Sequence, residues 1–222
     1  MERHLDEELK ELHKDILQMG IMAEEAIFKS VEALKNRDKN QAQTVIDEDK
    51  KIDALENVID EKCIDLIARY QPMAKDVRFI TTAMKINSDL ERIADLAVDI
   101  AQRVIELSAK PLLKPLVDIP KLSSIAQKMV QNALDAFVNR DVSLAKQVFE
   151  GEPQADTLRN NVYTELVYDY LAKDPTTADR AVPLLLISRH LERICDHATN
   201  IAEDVIYMVE AKVVKHHPEA FK

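Results

Sequence analysis

Apolar residues recur at steps of four and three from the first turns of the chain: Leu5, Leu9, Leu12, Ile16, Met19, Ala23 and Ala26. That spacing is the stripe of a straight, bundle-type helix and predicts one over about residues 4–35. Gly20 interrupts helix propensity there but not the pattern. A second stripe, Val45, Ile52, Ile59, Cys63, Leu66 and Tyr70, predicts a helix over about 38–70. Gln71-Pro72 ends it, because the residue before a proline avoids the helical region. A third helix, over about 75–109, carries Leu90, Ile93, Ala97, Ile100, Val104 and Leu107 on its face. Each would be roughly 45 Å long at ~1.5 Å per residue. Pro111, Pro115 and Pro120 then stand too close together for a continuing helix and mark 108–120 as a linker. Helices resume at about 121–139, 141–172 and 177–215. Gly151-Glu152-Pro153 is expected to bend the middle one, and Pro175 and Pro183 lie near the start of the last.

The pattern is a duplication. Leu90-Glu91-Arg92-Ile93-Ala94-Asp95-Leu96-Ala97-Val98-Asp99-Ile100-Ala101 returns 101 residues later as Leu191-Glu192-Arg193-Ile194-Cys195-Asp196-His197-Ala198-Thr199-Asn200-Ile201-Ala202. Upstream, Asn36-Arg37-Asp38 reappears as Asn139-Arg140-Asp141 at an offset of 103, so the second copy is about two residues shorter inside. A period near 100 is too long for a solenoid unit of roughly 20 to 50 residues, and each copy should form a bundle with its own core. The expected fold is all-α: two tandem three-helix bundles related by a pseudo-twofold internal repeat, the first over residues 1–110 and the second over 119–222.

Composition narrows the function. With two glycines, no tryptophan and an excess of helix formers, the 222 residues suit long helices rather than sheets. The opening Met1-Glu2-Arg3-His4 lacks the apolar run of a signal peptide, and nowhere are there the roughly 18 uncharged apolar residues of a membrane span. Cys63 and Cys195, one per half, make no disulfide framework. A soluble, cytoplasmic protein is expected. A net charge of −10 argues against sequence-independent binding to nucleic acid and leaves at most a peripheral membrane association. It suits attraction of cations or of a basic protein surface, beside the commoner reading of a solvated acidic exterior.

The candidate chemistry lies in carboxylates four residues apart, which share one helix face one turn from each other. Each half carries two such pairs: Asp49 with Asp53 and Glu91 with Asp95, then Glu152 with Asp156 and Glu192 with Asp196. They sit on the middle and last helices of each bundle, which are neighbours in a three-helix bundle, so four carboxylates could face one another across a groove. Asp49 occupies a place in the apolar progression Val45, Asp49, Ile52, and Glu91 stands in line with Met84, Ala94, Val98, Ala101 and Ile105. Carboxylates partly buried together repel and lose hydration, so something must compensate. Arg92 and Arg193 sit beside the glutamates, and Arg78 is a candidate to reach across. A hard cation is the other answer, because carboxylate oxygens suit Mg²⁺, Mn²⁺, Ca²⁺ or oxidised iron. Taken singly, any one pair reads more simply as a solvated face or a salt bridge.

Nucleophilic catalysis finds little support. His190 and His197 flank the second motif, but Leu and Asp fill the matching places in the first, so they read as surface or groove-lining residues. Cys195 replaces Ala94 and reads as a small packing residue, while His216-His217 reads as part of a frayed tail. A carboxylate-bridged di-metal oxidase of the four-helix type wants Glu and His three apart, and no Glu-x-x-His occurs in the chain. That enzyme and a metal-free helical adaptor are the alternatives to a metal-binding regulator.

Together, Leu90-Glu91-Arg92-Ile93-Ala94-Asp95, His190-Leu191-Glu192-Arg193-Ile194-Cys195-Asp196-His197-Ala198, Gln71-Pro72-Met73-Ala74-Lys75-Asp76-Val77-Arg78 and the Asp49-Asp53 segment make the chain resemble the PhoU family of bacterial phosphate-uptake regulators over nearly its whole length. The resemblance implies two three-helix bundles and acidic pairs that take part in multinuclear metal binding. Carried onto this sequence, the metal candidates are Asp49, Asp53, Glu91 and Asp95, then Glu152, Asp156, Glu192 and Asp196, for divalent or trivalent ions such as Mg, Mn, Fe or Zn. It also implies a homodimeric, non-enzymatic negative regulator of the phosphate-starvation response. Such a protein links a phosphate-specific ABC transporter to a sensor histidine kinase. Two departures stand out. Asn200 replaces Asp99, and the segment Asp174-Pro175-Thr176-Thr177-Ala178-Asp179-Arg180 only loosely repeats the Gln-Pro-Met-Ala-Lys-Asp-Val-Arg element, which makes the second site the weaker expectation.

Overall fold

The computed structural model describes residues 4–214, and within them the chain is almost entirely helical. Three long helices, α1 (His4–Asn36), α2 (Lys39–Tyr70) and α3 (Ala74–Ser108), form the first bundle. After the linker come α4 (Asp118–Asn139), α5 (Val142–Phe149), α6 (Glu152–Thr164) and α7 (Ala178–Glu210), which form the second, with α5 and α6 together standing where the first bundle has α2.

The repeated Asn-Arg-Asp tripeptide is a helix-to-helix turn. Arg37 and Arg140 adopt the left-handed region, with φ of 56° and 53°. The next amide reaches back to the preceding helix, from Asp38 to the Ala33 carbonyl at 2.9 Å and from Asp141 to that of Ala136 at 3.0 Å. Each aspartate then caps the following helix: Asp38 Oδ1 accepts from the Asn40 and Gln41 amides, Asp141 Oδ1 from those of Ser143 and Leu144. One residue thus closes a Schellman-type end and satisfies amides that would otherwise lack a partner.

The apolar stripes pack as the spacing requires. Leu12, Ile16, Met19 and Ala23 of α1, Ile52, Ile59 and Cys63 of α2, and Leu90, Ile93, Ala97 and Ile100 of α3 are buried, while Leu9, Tyr70 and Leu107 are half-buried at its margins. The bundles join along α3 against α7 and α1 against α4. The α3–α7 pair runs antiparallel: Lys85 Nζ meets Asp204 Oδ1 at 2.9 Å, while at the other end His190 Nδ1 lies 3.8 Å from Asp99 Oδ2. Gly20 has its reason here. A Cβ on it would come within 2.6 Å of Leu134 Cδ1, so the missing side chain lets α1 approach α4.

Three details differ from the expectation. α4 begins at Asp118, with Pro120 in its first turn, where a missing N–H costs nothing. The middle helix of the second bundle is split at Gly151, and Pro153 starts α6. Its C-terminal end, Glu165–Leu171, widens into π-helical turns, and there Glu165 pairs with Lys114 of the linker, a buried lysine. No helix among the described residues is long and apolar enough to cross a membrane.

Candidate functional site

α2 and α3 run antiparallel, and this brings the first two acidic pairs into each other's field. Asp49 is half-buried on α2, and its pKa is pushed up to about 6 by burial first, then by Asp53 on its own helix and Asp95 across the groove. Glu91 on α3 rises to about 7, again through burial first and then Asp95, with Glu56 and Asp53 adding from α2 and Arg92 opposing. Glu56 is pushed in the same direction by burial, Asp60, Asp53 and Asp95. A buried Asn87 pins the two helices one turn away, donating from Nδ2 to the Glu56 carbonyl at 2.9 Å and to Asp60 Oδ1 at 3.0 Å. Arg92 is the adjoining cation: its Nε lies 3.4 Å from Glu91 Oε2 and its Nη1 3.0 Å from Asp95 Oδ2.

The second groove repeats the arrangement with a substitution. Asp196 has its pKa raised by partial enclosure of the carboxyl group first, then by Glu192, Glu152 and Asp156, although the residue as a whole is exposed. Glu152 is the first residue of α6, just after the helix is interrupted at Gly151, and its charge acts on Asp196. Glu192 is held by a guanidinium from α6, with Arg159 Nη2 3.4 Å from its Oε1.

All eight sequence candidates therefore cluster by bundle, four in each. Among the described residues, however, no three Asp, Glu, His or Cys side chains converge into a ready-made cation site. The groups fit a hard cation by donor type and charge, and Asp49, Glu91 and Asp196 are held above the usual carboxylate range. They do not stand in coordination positions.

Other expectations are corrected by geometry. Arg78 does not reach the carboxylates: it lies on α3 thirteen residues, roughly 20 Å, before Glu91. His190 and His197 belong to the seam between the bundles rather than to either groove. His197 Nδ1 meets Asp89 Oδ1 at 2.8 Å, and Asn200 Nδ2 donates to the same oxygen at 3.3 Å. Asn200 thus replaces an aspartate because it faces Asp89 across the seam, where a second carboxylate would repel. Cys195 is buried, and its thiol is pushed up to about 12 by burial and then by the neighbouring carboxylates, so it stays neutral and packs. His216 and His217 lie outside the described residues.

Glu56, itself four residues before Asp60, and Arg159 lie outside the repeated acidic pairs. Carrying the 103-residue offset three positions beyond Asp53 and Asp156 aligns them and would have exposed both.

The PhoU domain model matches residues 16–104 and 119–205, once in each bundle. The chain belongs to the PhoU family. Among its PhoU relatives, the phosphate-specific transport system accessory protein PhoU homolog of Aquifex aeolicus is 42% identical over 212 residues, 96% of each chain. The homolog from Pseudomonas aeruginosa is 39% identical over 210 residues, 94% of this chain and 86% of that one. The crystal structure of PhoU from Pseudomonas aeruginosa superposes with a TM-score of 0.90 at 38% identity, covering 94% of this chain and all of the other. The phosphate transport system regulatory protein PhoU from Streptococcus pneumoniae gives 0.88 at 29% identity, covering 96% of this chain and all of that one.

Proposed function

We propose that this chain is a cytoplasmic accessory regulator of phosphate-specific transport that acts by protein contact, without turnover of its own. In this reading it couples the phosphate ABC transporter to a sensor histidine kinase and keeps phosphate-starvation genes off when phosphate is plentiful. The observation that carries the reading is the family match in both bundles, with relatives at 42% and 39% identity over almost the full chain that are named as transport-system accessory proteins. Long rigid helices suit docking on protein, and a chain of net charge −10 has no evident means of gripping DNA, so an effect on transcription must pass through a partner.

The two grooves are proposed as cation sites, held by Asp49, Asp53, Glu91 and Asp95 in the first bundle and Glu152, Asp156, Glu192 and Asp196 in the second. A bound ion would add positive charge to sets in which Asp49, Glu91, Asp95, Glu152 and Glu192 are half-buried and Asp53, Asp156 and Asp196 exposed. Side-chain rotation is required, since no three donors converge among the described residues. That same fact supports a second reading, in which the chain is a metal-free helical adaptor.

Deleting the gene and assaying alkaline phosphatase in high phosphate tests regulation: derepression is expected, and full repression with no paralogue present would refute it. Metal analysis of a Glu91→Ala, Asp95→Ala variant tests the groove separately. Less bound metal with unchanged helicity is expected, and unchanged stoichiometry there and in its Glu192, Asp196 counterpart would favour the adaptor.

A further inference from the structure

The duplicated Asn-Arg-Asp turn serves two different ends. In the first copy the Arg37 guanidinium donates to the carbonyls that close α3, those of Leu107 at 3.2 Å, Ser108 at 3.1 Å and Lys110. Its Nη2 is absorbed by the fold. In the second copy Arg140 holds the same left-handed turn and is carried to the end of α7, beside Met208 and Val209, but it makes none of the corresponding bonds among the described residues. Its guanidinium carbon instead stands 5.5 Å from the centre of the Phe79 ring, which is stacked on Phe137. The cause lies in the chain path. After α3 the chain folds back past Arg37, whereas α7 ends in a left-handed residue, Ala211, that closes on its own helix through the Tyr207 carbonyl.

Arg140 therefore lines a cavity of about 300 Å³ with Lys75 and Arg78 from the first turns of α3, and with Phe79, Met208 and Val209. No carboxylate among the described residues lines it. Arg78 Nε is buried with no hydrogen-bond partner, and none of the three cations has an ion-pair partner among the described residues. An adjoining cavity of about 320 Å³ shares Lys75, Phe79 and Arg140 and is also lined by Lys10 and His13 and by the carboxylates Asp6 and Asp76. Burial first and Arg140 second hold the His13 pKa down, which fits a positive local field. In a chain of net charge −10, Lys75, Arg78 and Arg140 bring three cations together around one cavity.

We propose that this cavity binds a small phosphate-bearing anion, either free phosphate or the phosphoryl group of a mononucleotide. Two guanidinium forks and an ammonium, carried on α3 and at the end of α4, match a multiply charged anion with at least three acceptor oxygens better than a single carboxylate. The start of α3 adds the partial positive charge of its dipole. Phe79, Met208 and Val209 form an apolar wall able to take the organic part of a nucleotide. The site is remote from both carboxylate grooves and independent of what they hold.

The test is calorimetric titration of the full chain with inorganic phosphate and, separately, with AMP. Chelator-treated protein is used so that a groove cation cannot recruit the anion, and chloride holds ionic strength constant. Saturable binding of either probe is expected, weakened roughly tenfold or more by Arg140→Gln, since a hydrogen bond to a charged group is lost. Lys75 and Arg140 are both exposed, so the Lys75→Gln, Arg140→Gln double variant should keep its circular dichroism and lose the binding. Absence of saturable binding of both probes at millimolar concentration would overturn the proposal. So would binding that the double variant leaves unchanged.

Discussion

The two bundles share a backbone plan and differ in the charges beside their acidic pairs. The first places Glu56 where the second places Arg159, one turn beyond the matched pairs Asp49–Asp53 and Glu152–Asp156. In the first groove this adds a carboxylate near Glu91, whose pKa of about 7 comes from burial first and Asp95 second, with Glu56 a smaller contribution, while burial, Asp53 and Asp95 raise Asp49 to about 6. In the second, the guanidinium pairs directly with Glu192. Each groove thus sets a guanidinium against its glutamate, Arg92 from the same helix in the first and Arg159 from the facing helix in the second, while Glu56 adds a carboxylate to the first. The repeated turn teaches the same lesson: Arg37 closes a helix, and Arg140, in the same conformation, does not.

Exchanging the groove charges should have the largest effect. Glu56→Arg is expected to lower the affinity of the first groove for Mn²⁺ by roughly one to two orders of magnitude, and Arg159→Glu to raise that of the second by a similar factor, because each changes the local field by two unit charges. Calorimetry resolves this, with the wild-type chain binding first in the first groove. Equal affinities in the wild type that neither exchange moves would break the comparison.

The turn offers a smaller contrast. Arg37→Gln removes charge-assisted bonds to three carbonyls and should cost about 2 kcal/mol in urea unfolding, whereas Arg140→Gln should cost under about 0.5 kcal/mol. Equal losses would mean that Arg140 has a structural partner after all.

Acid dependence separates the grooves more finely. Asp49 and Glu91 titrate higher in the folded chain than in the unfolded one, where they would ionise near 3.8 and 4.5. Each therefore contributes stability that is full below those values and lost as pH rises through about 6 and about 7. Metal-free protein is expected to weaken between pH 4 and 7 by roughly 1 kcal/mol per group once solvent screening is allowed for. Glu91→Gln should remove its share, leaving the variant more stable than wild type at pH 8 and equal to it below pH 4. Glu192→Gln, which weakens the Arg159 pair, should give no such gain. Thermal melts across this range decide it, and a gain of equal size from both substitutions would erase the distinction.

Much of this was legible before any coordinates. The stripes placed the six expected helices within a few residues, because burial against one neighbouring face imposes a 3.6-residue period on apolar side chains. The offset repeat located both sets of acidic pairs, since residues four apart share a helix face in any context. The π-helical end of the middle helix left no trace of that kind, as widened turns there lie beside the Glu165–Lys114 pair formed with a distant linker.

What the sequence determined by itself is whatever depends on local periodicity and chain chemistry: the helices, the prolines that separate them, the aspartate caps and the two-fold repetition. What the tertiary structure alone decided is which polar faces meet. Asp49 and Asp95, His197 and Asp89, and Arg140 and Phe79 are far apart along the chain and are brought together by antiparallel packing of helices about 45 Å long. Helical spacing records that a face is buried or charged. The neighbour across the groove depends on the register of whole helices against each other, set by the fit of two apolar cores and by close approaches such as that of Gly20 to Leu134.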